Sequence, residues 1–128
     1  MKLDWLRPCV FSLAVAVIFV TGARAPAQSA FDGGWSVLVI TEAGTCGQSY
    51  RYPVQIMNGT VVYDTVLGSG VVQISGKVDS GGQVKVTVQR GEQQAVGAGR
   101  LLQTAGGGTW TGEAATQGCS GRWEATRN

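Results

Sequence analysis

The sequence predicts an all-β domain, a small up-and-down (meander) antiparallel β-barrel of about eight strands with one disulfide. Three observations predict it. Strand-length runs alternate apolar and polar residues and break at turn residues every eight to twelve positions. Three Gly-x-Trp phrases, Gly33-Gly34-Trp35, Gly108-Thr109-Trp110 and Gly121-Arg122-Trp123, stand near the two ends of this region, as expected if its first and last strands meet. No amphipathic helical stretch follows residue 30.

Residues 1–27 read as a signal peptide rather than part of the domain. Lys2 and Arg7 open it, and Cys9 to Val20 is almost wholly apolar, a length that suits a signal h-region and falls short of the roughly 20 residues that span a bilayer. Ala25-Pro26-Ala27 places small residues for cleavage before Gln28, with a cut after Ala30 as the later alternative. The domain is then 28–128 and the compartment periplasmic or extracellular. An uncleaved signal anchor at the outer face of the inner membrane is the other reading.

The eight expected strands run from Trp35 to Thr41, Gln48 to Ile56, Thr60 to Thr65, Gly70 to Gly76, Gln83 to Gln89, Gln94 to Gln103, Thr109 to Ala114 and Cys119 to Thr126. Asn58-Gly59 is the firmest hairpin signal, because a type I′ turn needs positive φ at both central residues. Asp79-Ser80-Gly81-Gly82, Arg90-Gly91-Glu92-Gln93 and Gly106-Gly107-Gly108 read as looser turns.

In a meander, odd strands rise from one end, the bottom, and even strands return. Trp35 and Trp110 then start strands at the bottom, and Trp123 descends towards it with Arg127. The three tryptophans are expected to gather at that end and to close the barrel there with Arg127. Cys46 and Cys119 fall at the top, on strands that become neighbours if the sheet closes, so a barrel is favoured over an open sandwich. Cys9 leaves with the signal, and Cys46 and Cys119 remain as an even pair in an oxidising compartment, read as one disulfide.

The two-residue period of a strand puts Tyr50, Tyr52, Val54 and Ile56 on one face, with Val84, Val86 and Val88 and with Val72 and Ile74 as further core rows. The sixth strand is ambiguous: Ala95, Gly97, Gly99 and Leu101 alternate with Val96, Ala98, Arg100 and Leu102. Its glycines permit sharp coiling or make room for a neighbouring side chain or a ligand.

Charge and chemistry exclude several classes. Of ten basic residues, Lys2, Arg7 and Arg24 fall in the signal, and of eight acidic ones Asp4 does, leaving seven of each without a basic cluster. Binding to a nucleic-acid backbone, which depends on grouped Lys and Arg, is not expected. The chain has no histidine and its carboxylates show no paired motif, so no catalytic residue, metal ligand or cofactor is assigned. Most strands are too short for the roughly 9 to 11 residues of a membrane-spanning barrel strand.

Gly33-x-Trp35 at the opening of the first strand, with Arg122 and Arg127 on the last, resembles the lipocalin and wider calycin arrangement, in which a strand-one tryptophan packs under an arginine from near the chain's end. The resemblance implies an indole plugging the tapered end, with a guanidinium over its face contributing about 0.5 to 2 kcal/mol. Arg127 shares the Trp123 face and is the better candidate. The chain is shorter than ordinary lipocalins and lacks their helix before the final strand, which argues against a roomy cavity. A second resemblance is to the small periplasmic inhibitors of secreted bacterial metalloproteases, barrels of similar size whose N-terminal trunk enters the protease cleft. It makes Gln28-Ser29-Ala30-Phe31-Asp32 a candidate trunk, although the Cys46–Cys119 pairing differs from the one expected there.

Two functional classes follow. In one, an open top rimmed by Glu42 to Gly47, Thr65 to Ser69, Arg90 to Gln93 and Ala115 to Gly118 admits a small apolar molecule near Tyr50, Tyr52 and Tyr63. In the other, side chains fill the barrel and its surface binds an exported protein such as a protease.

Overall fold

A computed structural model of the 128-residue chain describes residues 15–19 and 29–128. Apart from Val15 to Phe19, the signal-peptide expectation lies outside the described residues. Val15, Val17, Ile18 and Phe19 are exposed and carry no regular structure.

Eight strands, β1 (Gly33–Ala43), β2 (Ser49–Met57), β3 (Thr60–Tyr63), β4 (Val72–Val78), β5 (Gln83–Arg90), β6 (Gln93–Leu101), β7 (Ala105–Ala114) and β8 (Ser120–Arg127), form a closed barrel in sequence order. Every neighbouring pair is antiparallel, and β1 meets β8 from Trp35↔Arg127 up to Thr41↔Gly121, with a bulge between Thr41 and Ala43. The β2–β3 turn has Asn58 and Gly59 at φ of 52° and 76°, the backbone that this dipeptide tolerates.

The inward rows are those the alternation predicts. Val54, Ile56, Val72, Ile74 and Val84 are buried, and Tyr52, Val86 and Val88 pack against them. The ambiguity of β6 resolves with Leu101 buried and Leu102 exposed, so Ala95, Gly97 and Gly99 also face inward.

Two expectations are corrected around β7. Gly106-Gly107-Gly108 is not a turn but part of the strand, which pairs with β6 from Leu101↔Gly106 onward, and the turn is at 102–104. Trp110 therefore sits well up the barrel, and the tryptophans do not gather at the bottom: Trp35 is low, Trp123 opposite Val39 is midway, and Trp110 opposite Gly121 is high. Glycines explain the arrangement. The Trp110 indole lies over Gly121 of β8 and donates from Nε1 to the Ile40 carbonyl of β1 at 3.0 Å. The Trp123 indole crosses β7 and donates to the Ala98 carbonyl of β6 at 3.2 Å. A Cβ at Gly99 would lie 2.6 Å from the Trp123 ring, and one at Gly121 would lie 2.9 Å from the Trp110 nitrogen, so both positions exclude a side chain.

The bottom is closed by Trp35 and by the segment before it. The Arg127 guanidinium stands 5.4 Å from the Trp35 ring centroid and donates to the carbonyls of Ala30, Gln103 and Asp32. Trp35 Nε1 donates to the Phe31 carbonyl at 2.8 Å, and Phe31 is buried. The Asp32 carboxylate accepts from the amides of Asn58 and Gly59 and from the Ser29 hydroxyl. Residues 29–32 are thus a plug rather than the projecting trunk that the sequence made a candidate, and Gln28 lies outside the described residues. Arg122 points away and pairs with Glu124 on the surface at 3.4 Å.

At the top, the Cys46–Cys119 disulfide links the β1–β2 and β7–β8 loops across a separation of 73 residues. β3 is shorter than expected because Asp64 turns the chain after Tyr63. The β2–β3 ladder ends at Val54↔Tyr63 and the β3–β4 ladder at Val62↔Ser75, so Ser49 to Pro53 and Val72 to Ile74 have no strand partner on that side.

A closed loop of this length constrains the unfolded chain by about 4 kcal/mol in the chain-entropy treatment. Cys46→Ser should lower the Tm by at least about 10 °C in thermal unfolding followed by circular dichroism, and an unchanged Tm would remove the disulfide from the stability of the fold. Gly99→Ala should destabilise by about 1 to 3 kcal/mol by pressing on Trp123, with a shifted tryptophan emission spectrum. A variant as stable as the parent, with the same spectrum, would show that the contact is slack.

Candidate functional site

Closure turns the inward rows into one lumen, and the residues in it decide what it can hold. β1 contributes Val37, Val39 and Thr41, β2 contributes Tyr50 and Tyr52, and β5 contributes Val84, Val86, Val88 and Arg90. Next to β5, the inward row of β6 has the small Ala95 and Gly97 between the mouth and Leu101, and the indoles of Trp110 and Trp123 occupy part of the space these small residues leave. The Trp side of the barrel is filled by rings and the Val side by short branched chains. A cavity of about 130 Å³ remains between them, running from Trp35 and Leu101 at the floor to Arg90 and Gln93 at the mouth.

The three tyrosines named from the sequence lie together at the upper end of the lumen. Tyr50 and Tyr52 stack at 6.3 Å between ring centroids, and Tyr52 meets Tyr63 edge-on at the same distance. Their hydroxyls differ. Tyr50 donates to the Cys46 carbonyl at 3.2 Å, and Tyr63 accepts from the Ser69 amide at 2.9 Å. Tyr52 is set beside Arg90: burial raises its phenol above the ordinary value, and the Arg90 charge opposes that rise. Tyr50 and Tyr52 line the cavity, whereas Tyr63 supports Tyr52 from the side.

The sequence reading placed Arg90 on the rim without a role in binding and missed Thr41. Arg90 continues the inward row Val84, Val86, Val88, and its guanidinium lies 5.4 Å from the Tyr50 ring centroid, within cation–π range. It is the one charged residue among those lining the cavity, and among the described residues it has no carboxylate within ion-pair distance. Thr41 continues the row Trp35, Val37, Val39. Its Oγ1 is buried against the lumen with no hydrogen-bond partner among the described residues. The period-two rule carried one step past the last valine reaches both.

The rim is held by two side chains, Thr116, which also lines the cavity, and Asp64, which does not. Thr116 is buried, and its hydroxyl lies against the carbonyls of Gln94 and Glu113, which folds the β7–β8 loop over the β6 side of the mouth. Asp64 holds the β3–β4 loop. Its carboxylate accepts from Gln55 Nε2 at 3.1 Å and from the amides of Val66 and Leu67 at 3.0 and 3.2 Å, and its own amide donates to the Pro53 carbonyl. The Gln55 bond chiefly, then the two amides, hold its pKa below the usual carboxylate value against an opposing effect of burial. Val66, Leu67 and Val71 of this loop are exposed.

The outer wall is polar, with Arg51, Gln73, Lys77, Lys85, Arg100, Glu113 and Glu124 exposed, while the lumen is apolar. That is the reverse of a membrane-spanning barrel, whose apolar band faces out. Among the described residues no group of three or more His, Cys, Asp or Glu side chains is placed to hold a metal ion. Comparison with known protein families, curated proteins and solved structures finds no match for this chain.

Because the folded Asp64 carboxyl is the stronger acid, its contribution to stability is present above the ordinary carboxylate pKa of about 3.9 and is lost as the pH falls through the lower folded value. Asp64→Asn should therefore be less stable than the parent at pH 7 and should lose less stability between pH 5 and pH 2 in denaturant titrations. Parallel acid limbs for the two proteins would contradict the assignment.

Proposed function

We propose that this protein is a small exported, non-enzymatic binding barrel whose lumen takes up the apolar part of a small molecule through the mouth framed by Tyr50, Tyr52 and Arg90. The observation that carries the reading is the volume and lining of the cavity. An apolar space of about 150 Å³ in a protein interior stays dry and accepts benzene, and the 130 Å³ here is of that size. The lining is mostly valine, tryptophan and tyrosine, and a few polar groups converge at one end, as in small-molecule sites generally. The Arg127 guanidinium over Trp35 and the closed bottom also support kinship in design with the calycin barrels, which bind at the opposite, open end.

The exposed Val66, Leu67 and Val71 on the rim favour a second reading, a protein-binding role for the top loops. The fastened plug at residues 29–32 favours that role less at the bottom.

Native mass spectrometry of protein purified from the periplasm should show cleavage after Ala27, an intact disulfide and a retained small mass, or an empty barrel that takes up ring-sized arenes. Trp35, Trp110 and Trp123 line the cavity, so binding of benzene or toluene should be visible by calorimetry and by changed tryptophan emission. Val86→Phe, which fills the lumen, should keep the fold and abolish uptake. No retained mass and no uptake of any arene at millimolar concentration would sink the small-molecule reading and leave the protein-binding one.

A further inference from the structure

The lumen-binding reading leaves open which chemistry the mouth selects. An uncharged ligand would need no more than the valine and tryptophan walls. The mouth is built differently. Arg90 ends an otherwise all-valine inward row, where a fourth apolar residue would have lengthened the greasy surface. Its guanidinium is held over the face of Tyr50 and has no carboxylate partner among the described residues. Stacking uses the flat face of a guanidinium and leaves its N–H groups, which lie in the plane, free to donate. Such a fork matches a carboxylate, which can accept two parallel bonds from it.

Thr41 is the second, independent observation. A buried hydroxyl without a partner costs free energy, and natural structures leave few such groups. Thr41 Oγ1 is one, and it lines the same cavity as Arg90 from β1, on the opposite side of the barrel from β5. Rotation about χ1 of Thr41 would turn this hydroxyl to the lumen, where a ligand with polar atoms at its mouth end would give it a partner. Glu42, Asp64, Glu92 and Glu113 are the carboxylates at this end, and none stands within ion-pair distance of the guanidinium, whose other titratable neighbours are the Tyr50 and Tyr52 phenols.

We infer that the ligand is a small amphiphilic carboxylate, with a ring-sized or short alkyl body in the lumen and its carboxylate on the free edge of the Arg90 guanidinium. The body is limited by the cavity to about the size of one benzene ring, which excludes long-chain lipids and fused polycyclic compounds. Tyr50 fixes the guanidinium in position, and the lumen walls bind the body without regard to charge.

The test compares sodium benzoate, benzamide and toluene by isothermal calorimetry on the exported protein, with Arg90→Gln and Arg90→Lys beside the parent. Hydrogen bonds to charged groups set the expected scale. The parent should bind benzoate about ten- to a hundredfold tighter than benzamide, and Arg90→Gln should bring the two affinities together. Arg90→Lys, which keeps the charge without the fork, should fall between them. Since Arg90 is exposed at a strand end, both variants should keep the parent's circular dichroism spectrum. Equal affinity for benzoate and benzamide in the parent would overturn the carboxylate inference while leaving lumen binding intact. A benzoate preference that survives Arg90→Gln would overturn the assignment to Arg90. Failure of all three probes, toluene included, would overturn the lumen reading itself.

Discussion

Pairing of β1 with β8 is the constraint on which the rest of this structure depends. It leaves no free end strand and encloses the inward residues, so that one face of each strand must be apolar. The pairing is reinforced by more than its ladder. Trp110 reaches over β8 to a carbonyl of β1, the disulfide joins the two loops above the same seam, and Arg127 fastens the start of the domain to its last residues below it. Each of these links residues far apart in sequence, so none forms until the chain has come most of the way round.

The same indoles shape the lumen. A large ring lying flat over a neighbouring strand requires glycine beneath it, and the glycines of β6, β7 and β8 supply that on one half of the wall. The other half carries valines, which cannot reach across. The remaining volume is thus a by-product of an uneven distribution of side-chain size around the barrel, and the polar groups at its top are what convert a packing gap into a place with chemical preference. Dispersion contacts with the walls favour any body of the right size, so discrimination has to come from Arg90 and the tyrosines.

Much of this was legible in the sequence because barrel strands obey a period of two. The strand number and the inward rows of β2 and β5 follow from alternation and turn spacing, the Asn58-Gly59 turn from its tolerance of positive φ, the disulfide from the even pair of cysteines, and the Arg127–Trp35 stack from the resemblance to the calycin arrangement. What the sequence obscured has a common cause in glycine. Gly106 to Gly108 has the composition of a turn, yet it lies in a strand where the backbone of β6 and β8 and the Leu101 side chain press on it, and that contact is invisible without the third dimension. Misplacing that turn lowered Trp110 by most of a strand. The cavity was illegible for a different reason: Tyr50 and Tyr52 read the same whether they line a space or fill one, and only the positions of their neighbours decide. Arg90 and Thr41 were within reach, since each extends a valine row by one step.

The short β3 leaves one fault in an otherwise continuous wall, where Ser49 to Pro53 and Val72 to Ile74 face each other without a strand between. An open sheet edge invites another chain to add to it, and such an edge is an aggregation hazard. This one is defended. Pro53 has no N–H to offer an incoming strand, and its carbonyl is already taken by the Asp64 amide. Arg51 places a charge on the outer face beside it, hydrogen-bonded to Ser36. The irregular loop that shortens the strand therefore also guards the gap it creates, and the domain remains protected against polymerising through its own wall.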